Sequence, residues 1–168
     1  ITGKDEYNNS AEQTILLTIE DMIAPVATLK AITLSLDNTG SITITPDDII
    51  DDISDNCNGI IDKQLNISEF TCANIGEIPV ELKLTDEAGN ESTFTTIVTI
   101  EDDIKPIIVG LDIEIQLNSS GEASINWQDI LDQSPTTGSS DNCGIDYSSI
   151  TITPSTFDCN DVVVDVTI

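Results

Sequence analysis

Polar and apolar residues alternate along most of this chain. Asp112-Ile113-Glu114-Ile115-Gln116-Leu117 changes character at every step, as do Ile32-Thr33-Leu34-Ser35-Leu36 and Val80-Glu81-Leu82-Lys83-Leu84. Val164-Asp165-Val166-Thr167-Ile168 does the same. A period of two places the Ile, Leu and Val side chains on one face of an extended strand. Thr, Ile and Val dominate these runs, which suits a pleated, half-buried surface. Turn-forming clusters separate them: Asp37-Asn38-Thr39-Gly40, Glu87-Ala88-Gly89-Asn90 and Asn118-Ser119-Ser120-Gly121. Only Asp47–Asp52 and Gln128–Asp132 read as able to hold a helical turn. About seven short strands in roughly 80 residues predict an all-β, immunoglobulin-like antiparallel β-sandwich. Trp127, Phe70, Phe94 and Phe157 are expected in the core.

The pattern also repeats. Shifted by 81 residues, Thr18-Ile19-Glu20-Asp21 falls on Thr99-Ile100-Glu101-Asp102, Pro25 on Pro106 and Gly40 on Gly121. A short insertion then moves the frame. Asp55-Asn56-Cys57 returns as Asp141-Asn142-Cys143, and Phe70 and Cys72 return as Phe157 and Cys159. Such a period predicts a tandem array of small domains. Residues 1–21 read as the C-terminal strands of a preceding repeat. Residues 22–102 read as one complete repeat, and 103–168 as a repeat truncated at its C-terminal end. The chain starts and stops inside apparent strands, so it reads as an excerpt of a longer polypeptide.

Strand direction brings distant acidic segments together. Let the upper pole of a repeat be the end facing its predecessor. The first strand, Val26–Leu36, runs down from it, and Ser41–Thr45 climbs back. The loop 47–56 therefore lies at the upper pole. The last strand, Thr93–Ile100, must run down to the next repeat, so the turn Asp86–Asn90 lies there too. The linker residues Glu20 and Asp21 enter at the same place. Glu20, Asp21, Asp48, Asp51, Asp55, Asp86 and Asn90 thus converge on one junction, with Asp21, Asp55 and Asp86 the strongest candidates. Glu101, Asp102, Asp129, Asp132 and Asp141 mark the next.

Charge sharpens this reading. The formal net charge is −26, with only five basic residues and no His. Nucleic acid and anionic lipid would be repelled. Few cations within the chain can pair with converging carboxylates. A hard cation with six to eight oxygen ligands can, and extracellular calcium fits. The alternative is a merely solvated acidic hinge. No stretch approaches the roughly 20 apolar residues of a membrane helix, so no membrane insertion is expected in this segment.

The four cysteines fall as one pair per repeat, Cys57 with Cys72 and Cys143 with Cys159. Zinc would want His among its ligands, and there is none, so disulfides and an oxidising compartment are the better reading. Repeat logic pairs Cys57–Cys72 and Cys143–Cys159. Each would close a loop of about fifteen residues and contribute roughly 3 kcal/mol in the chain-entropy model.

Several strings resemble a known family: Ile19-Glu20-Asp21 with Pro25, Leu84-Thr85-Asp86-Glu87-Ala88-Gly89-Asn90, Asp141-Asn142-Cys143-Gly144-Ile145 and Ser155-Thr156-Phe157-Asp158-Cys159. They look like hyalin-type (HYR-like) immunoglobulin repeats. They look most like those of the giant secreted surface adhesins of gliding flavobacteria, the SprB type. The resemblance covers essentially the whole chain in the repeat frame. It implies a secreted, cell-surface filament of many such domains, serving adhesion or gliding motility. Many such repeats carry further cysteines in their first and last strands, and none stands here near Leu29 or Phe94.

Three functions compete. The first is a structural spacer whose partners are neighbouring repeats of the same chain, any surface or glycan ligand being held elsewhere in the full-length protein. The second is direct binding of a glycan or protein partner, against which the aromatic content of 4% weighs. The third is an enzyme. With no His and with carboxylates that recur in every repeat, catalysis is not expected.

Overall fold

A computed structural model of the chain describes residues 1–57, 59–134 and 137–161. The expected strand Val164–Ile168 lies outside the described residues. The protein is mostly β, in several sheets. In chain order its strands are β1 (Thr2–Lys4), β2 (Ser10–Glu12), β3 (Val26–Leu29), β4 (Ile32–Ser35), β5 (Ser41–Thr43), β6 (Ile50–Ser54), β7 (Ile60–Leu65) and β8 (Glu69–Thr71). They continue with β9 (Gly76–Asp86), β10 (Glu91–Glu101), β11 (Glu122–Ser124) and β12 (Thr156–Asp158). Two single helical turns, α1 (Pro46–Ile49) and α2 (Trp127–Ile130), fall where the sequence allowed them.

The chain folds as two compact units. The first comprises Ile1–Lys30, Pro46–Asn66 and Val80–Thr96, and the second Ala31–Thr45, Ile67–Pro79 and Ile97–Ile168. β9 and β10 run through both. The largest sheet has the order β4-β10-β9-β7.

In the first unit β3 pairs with β6, and β7 with β9, both antiparallel. The two-residue period of β9 is realised in full. Val80, Leu82 and Leu84 are 0% exposed, while Glu81 between them faces solvent. The same parity carries Asp86 onto the buried face, where it is 1% exposed. Gly89, at φ 87°, closes the turn from β9 into β10, and the Asp86 N–H donates to the Asn90 carbonyl at 3.1 Å.

The expected single strand Val26–Leu36 is two strands. β3 lies against β6, whereas β4 lies parallel to β10, with Ile32 opposite Val98 and Leu34 opposite Ile100. The change falls at Lys30–Ala31, where the Lys30 N–H donates to the Ile49 carbonyl. The inward positions switch there from Ala27 and Leu29 to Ile32, Leu34 and Leu36.

The second unit contains one framework twice. β5 pairs with β8, setting Ile42 opposite Phe70. β11 pairs with β12, setting Ala123 opposite Phe157 in the same register. Each pair opens on a turn closed by a glycine at positive φ, Gly40 at 72° and Gly121 at 79°. Ile44 donates its N–H to the Ser68 carbonyl, and Ile125 to the Ser155 carbonyl. Ile125, Ile130 and Phe157 form a small core with Ile152 against it. Trp127 is only half-buried, stacked on Tyr147 with ring centroids 4.8 Å apart. Phe70 and Phe157 are buried, and Phe94 is half-buried. Asp112–Leu117 forms no strand. Its counterpart β4 is ordered by pairing with β10, and no described residues pair with 112–117. Ile113, Ile115 and Leu117 are each 40% exposed.

The cysteines correct the sequence reading. The disulfide is Cys72–Cys143, with Cα atoms 5.4 Å apart and a sequence separation of 71. Cys57 and Cys159 are free and exposed. The expected pairs Cys57–Cys72 and Cys143–Cys159 do not form. Cys72 opens a short 3-10 turn, Cys72–Asn74, directly after β8. Its sulfur is thereby set over the Gly40 turn, 3.6 Å from the Gly40 carbonyl and 3.5 Å from the Asn142 carbonyl. The Asn142 amide donates to the Asp37 carbonyl of that turn at 3.2 Å, which holds Cys143 within reach.

A candidate cation site of three carboxylates

Asp21, Asp55 and Asp86 each present a carboxylate oxygen within 4.8 Å of the other two. They come from three segments of the first unit: the linker before β3, the residue after β6 and the last residue of β9. Local turns aim each of them. Asp21 Oδ1 accepts the Ile23 N–H at 3.1 Å, and Asp55 Oδ2 accepts the Cys57 N–H at 2.9 Å. Asp86 receives both the backbone N–H and the side-chain amide of Asn90, at 2.7 and 2.8 Å.

Two asparagines tie the segments together. The Asn56 amide donates to Asp21 Oδ1 at 3.0 Å, and the Asn90 amide reaches the Asp21 carbonyl at 3.2 Å. The Ser92 hydroxyl donates to the Pro25 carbonyl, fixing the linker against β10. The Asn56 amide and then the Ile23 N–H hold the Asp21 carboxyl below the usual carboxylate range. The hydrogen bond to Asp21 pushes the Cys57 thiol up, aided by burial and by the charges of Asp21, Asp55 and Asp86.

One acceptor is left over. Asp55 Oδ1 is shielded from solvent and has no hydrogen-bond partner. A buried carboxylate oxygen without a donor is costly. The ion pairs Lys63–Asp47 and Lys83–Glu91 engage other carboxylates. The donor set is all oxygen and anionic, which suits a hard divalent cation, and Asn90 and the Asp21 carbonyl lie alongside.

The other carboxylate candidates do not gather with this trio. Glu20 and Asp51 are exposed, and Asp48 is exposed on α1. Glu101 ends β10 at the surface. Asp129 accepts the Asn126 N–H as the N3 member of the capping box of α2, whose cap is Asn126. Asp132 accepts the Ser134 N–H. Asp102 and Asp141 copy two members of the trio. Asp102 accepts the Ile104 N–H at 3.1 Å, as Asp21 does from Ile23, and Asp141 accepts the Cys143 N–H at 2.9 Å, as Asp55 does from Cys57. Asp141 Oδ2 is likewise buried without a partner. Asp5 and Asn9 copy the Asp86–Asn90 turn on the surface, with side-chain bonds of 2.9 and 2.8 Å. Among the described residues only Asp21, Asp55 and Asp86 gather as such a group. The sequence reading had not marked Asn56 or Ser92. Asn56 stands between two of the singled-out residues, Asp55 and Cys57.

The fold and this site define a β-rich chain with an acidic, oxygen-only cluster where its linker meets two loops. No protein family, curated protein or solved structure matches it. Among the described residues no helix is long and apolar enough to cross a membrane.

Proposed function

We propose that this chain is a run of immunoglobulin-like spacer repeats from a long secreted surface adhesin, stiffened by calcium where one repeat meets the next. The observation that carries the reading is the trio Asp21, Asp55 and Asp86, with oxygens within 4.8 Å of one another and Asp86 1% exposed. Asp21 belongs to the linker, whereas Asp55 and Asp86 belong to the body that follows it. An ion held by all three fixes the linker to that body. Without it, like charges in a poorly hydrated place push the segments apart.

The test is a melting curve in millimolar calcium and in chelator, for the wild type and for Asp55→Asn with Asp86→Asn. A ligand at 100 times its dissociation constant adds about 2.7 kcal/mol. For a chain of this size that raises the melting temperature by several degrees. The double variant should lose the shift. No shift in the wild type would leave the cluster a solvated hinge.

A second reading is a binding surface for a glycan or protein partner, and the half-buried Trp127–Tyr147 stack favours it. Aromatic faces at a surface suit sugar rings. Trp127 is the only Trp, so its fluorescence reports such binding directly. A titration with surface polysaccharide that leaves the emission unchanged removes this reading.

A further inference from the structure

We propose that Cys159 and Cys57 are the two complementary halves of one inter-domain disulfide, so that Cys159 of one domain joins Cys57 of another domain of the same type, as Cys72 joins Cys143 within this chain. The inference rests on the repeat reading and not on the ion.

Each half has its counterpart in the formed bond. Cys159 follows β12 as Cys72 follows β8, and its sulfur lies 3.8 Å from the Gly121 carbonyl, as that of Cys72 lies 3.6 Å from the Gly40 carbonyl. A methyl group added at Gly121 would meet the Cys159 sulfur at 2.8 Å, and one at Gly40 the Cys72 sulfur at the same distance. The two sulfurs therefore sit over equivalent turns. At Gly40 the added carbon would also meet the Asn142 carbonyl, at 2.7 Å. At Gly121 no other described residue comes within 4 Å. Among the described residues, none takes in the second turn the seat that Asn142 fills in the first.

The other half is Asp55-Asn56-Cys57. It carries the backbone bend of Asp141-Asn142-Cys143, because each Asp accepts the N–H of its Cys at 2.9 Å. Asn142 uses its amide on the Asp37 carbonyl of the turn it docks against, whereas the Asn56 amide donates to Asp21 Oδ1 and must turn away from it to dock in the same way. The Asn118 carbonyl holds the same place in the Gly121 turn, closed by the Gly121 N–H at 2.9 Å as Asp37 is by Gly40. Cys57 and Cys159 are both exposed thiols.

The chemistry balances with a disulfide oxidant. Two S–H bonds break and one S–S bond forms. Two electrons and two protons pass to the oxidant disulfide, which leaves as two thiols.

The test uses two variants of the whole chain, Cys57→Ser and Cys159→Ser, in a buffer of oxidised and reduced glutathione with chelator present. Chelator separates the outcome from any effect of calcium. The wild type should form a reducible ladder of linked oligomers. The two variants mixed should give the Cys159–Cys57 heterodimer severalfold above either homodimer, identified by peptide mass mapping, with Cys72–Cys143 retained as the control of folding. Random pairing, a Cys57–Cys159 bond closed within one chain, or thiols that stay free to alkylation would each overturn the proposal.

Discussion

The β5–β8 and β11–β12 pairs share register, turn and capping glycine, yet they differ in completeness. Phe70 is 0% exposed and Phe157 9%. Cys72 is bonded and Cys159 is free. Over the Gly40 turn sits the backbone of Asn142, and over the Gly121 turn no described residue takes that place. The local sequence builds the same framework both times, because the turn and the Phe anchor are intrinsic to it. What separates the two is a tripeptide supplied from elsewhere.

The largest test of this comparison removes the bond. Cys72→Ser with Cys143→Ser opens a closure of 71 residues, worth about 4 kcal/mol in the chain-entropy model. Thermal melting should show the loss, and hydrogen exchange should show the β5–β8 pair becoming as labile as β11–β12. If β5–β8 stays better protected, its completeness comes from packing and not from the bond. Next is calcium. The complete trio should give the shift of about 2.7 kcal/mol described above, whereas Asp102→Asn with Asp141→Asn should leave that shift unchanged. Loss of the shift in this second variant would place the stabilising ion elsewhere.

A smaller effect tests whether the shared framework is energetically shared. Ile49→Val and Ile130→Val trim equivalent residues, 0% and 4% exposed, and each should cost about 1 kcal/mol. Unequal costs, read by exchange at each site, would separate the two regions. The smallest effect is in the turns. Asp37 accepts from Thr39 and Ser41, and the Thr39 hydroxyl first and its N–H second hold the carboxyl below its usual range. A lowered folded value means a contribution present above the unfolded value and lost as pH falls through the folded one. Asn118 makes the same two backbone bonds, to Ser120 and Glu122, without titrating. Asp37→Asn should therefore remove part of the acid sensitivity of melting, and Asn118→Asp should add some. A pH profile unchanged in both variants would break the equivalence.

Much of this architecture was legible in the sequence. The two-residue period placed β9, and the same parity accounts for the burial of Asp86. Strand direction brought Asp21, Asp55 and Asp86 together from segments far apart, but it also drew in Glu20, Asp48 and Asp51, which are exposed and outside the group. The split of the first strand also left a trace, because the inward residues skip from Leu29 to Ile32, a spacing of three that no single strand accommodates. The disulfide left none. Cys72 can pair with Cys57 or with Cys143 without disturbing the period, and only the folded position of Asn142-Cys143 over the Gly40 turn decides between them. Asp112–Leu117 shows the limit of alternation: a perfect pattern forms no strand where no described partner lies beside it.

The parallel pairing of β4 with β10 has a mechanical consequence. Chain passing through residues 22–102 enters by way of β3 and β4 and leaves at Glu101, the end of β10. Tension applied along the chain pulls these two neighbours in opposite directions along their length. The hydrogen bonds from Ile32–Val98 to Ser35–Glu101 are then strained together in shear and cannot open one at a time. Rupture is governed by the unfolding rate under force and not by equilibrium stability. A strand pair that contributes modestly to melting can thus set how hard the chain can be pulled.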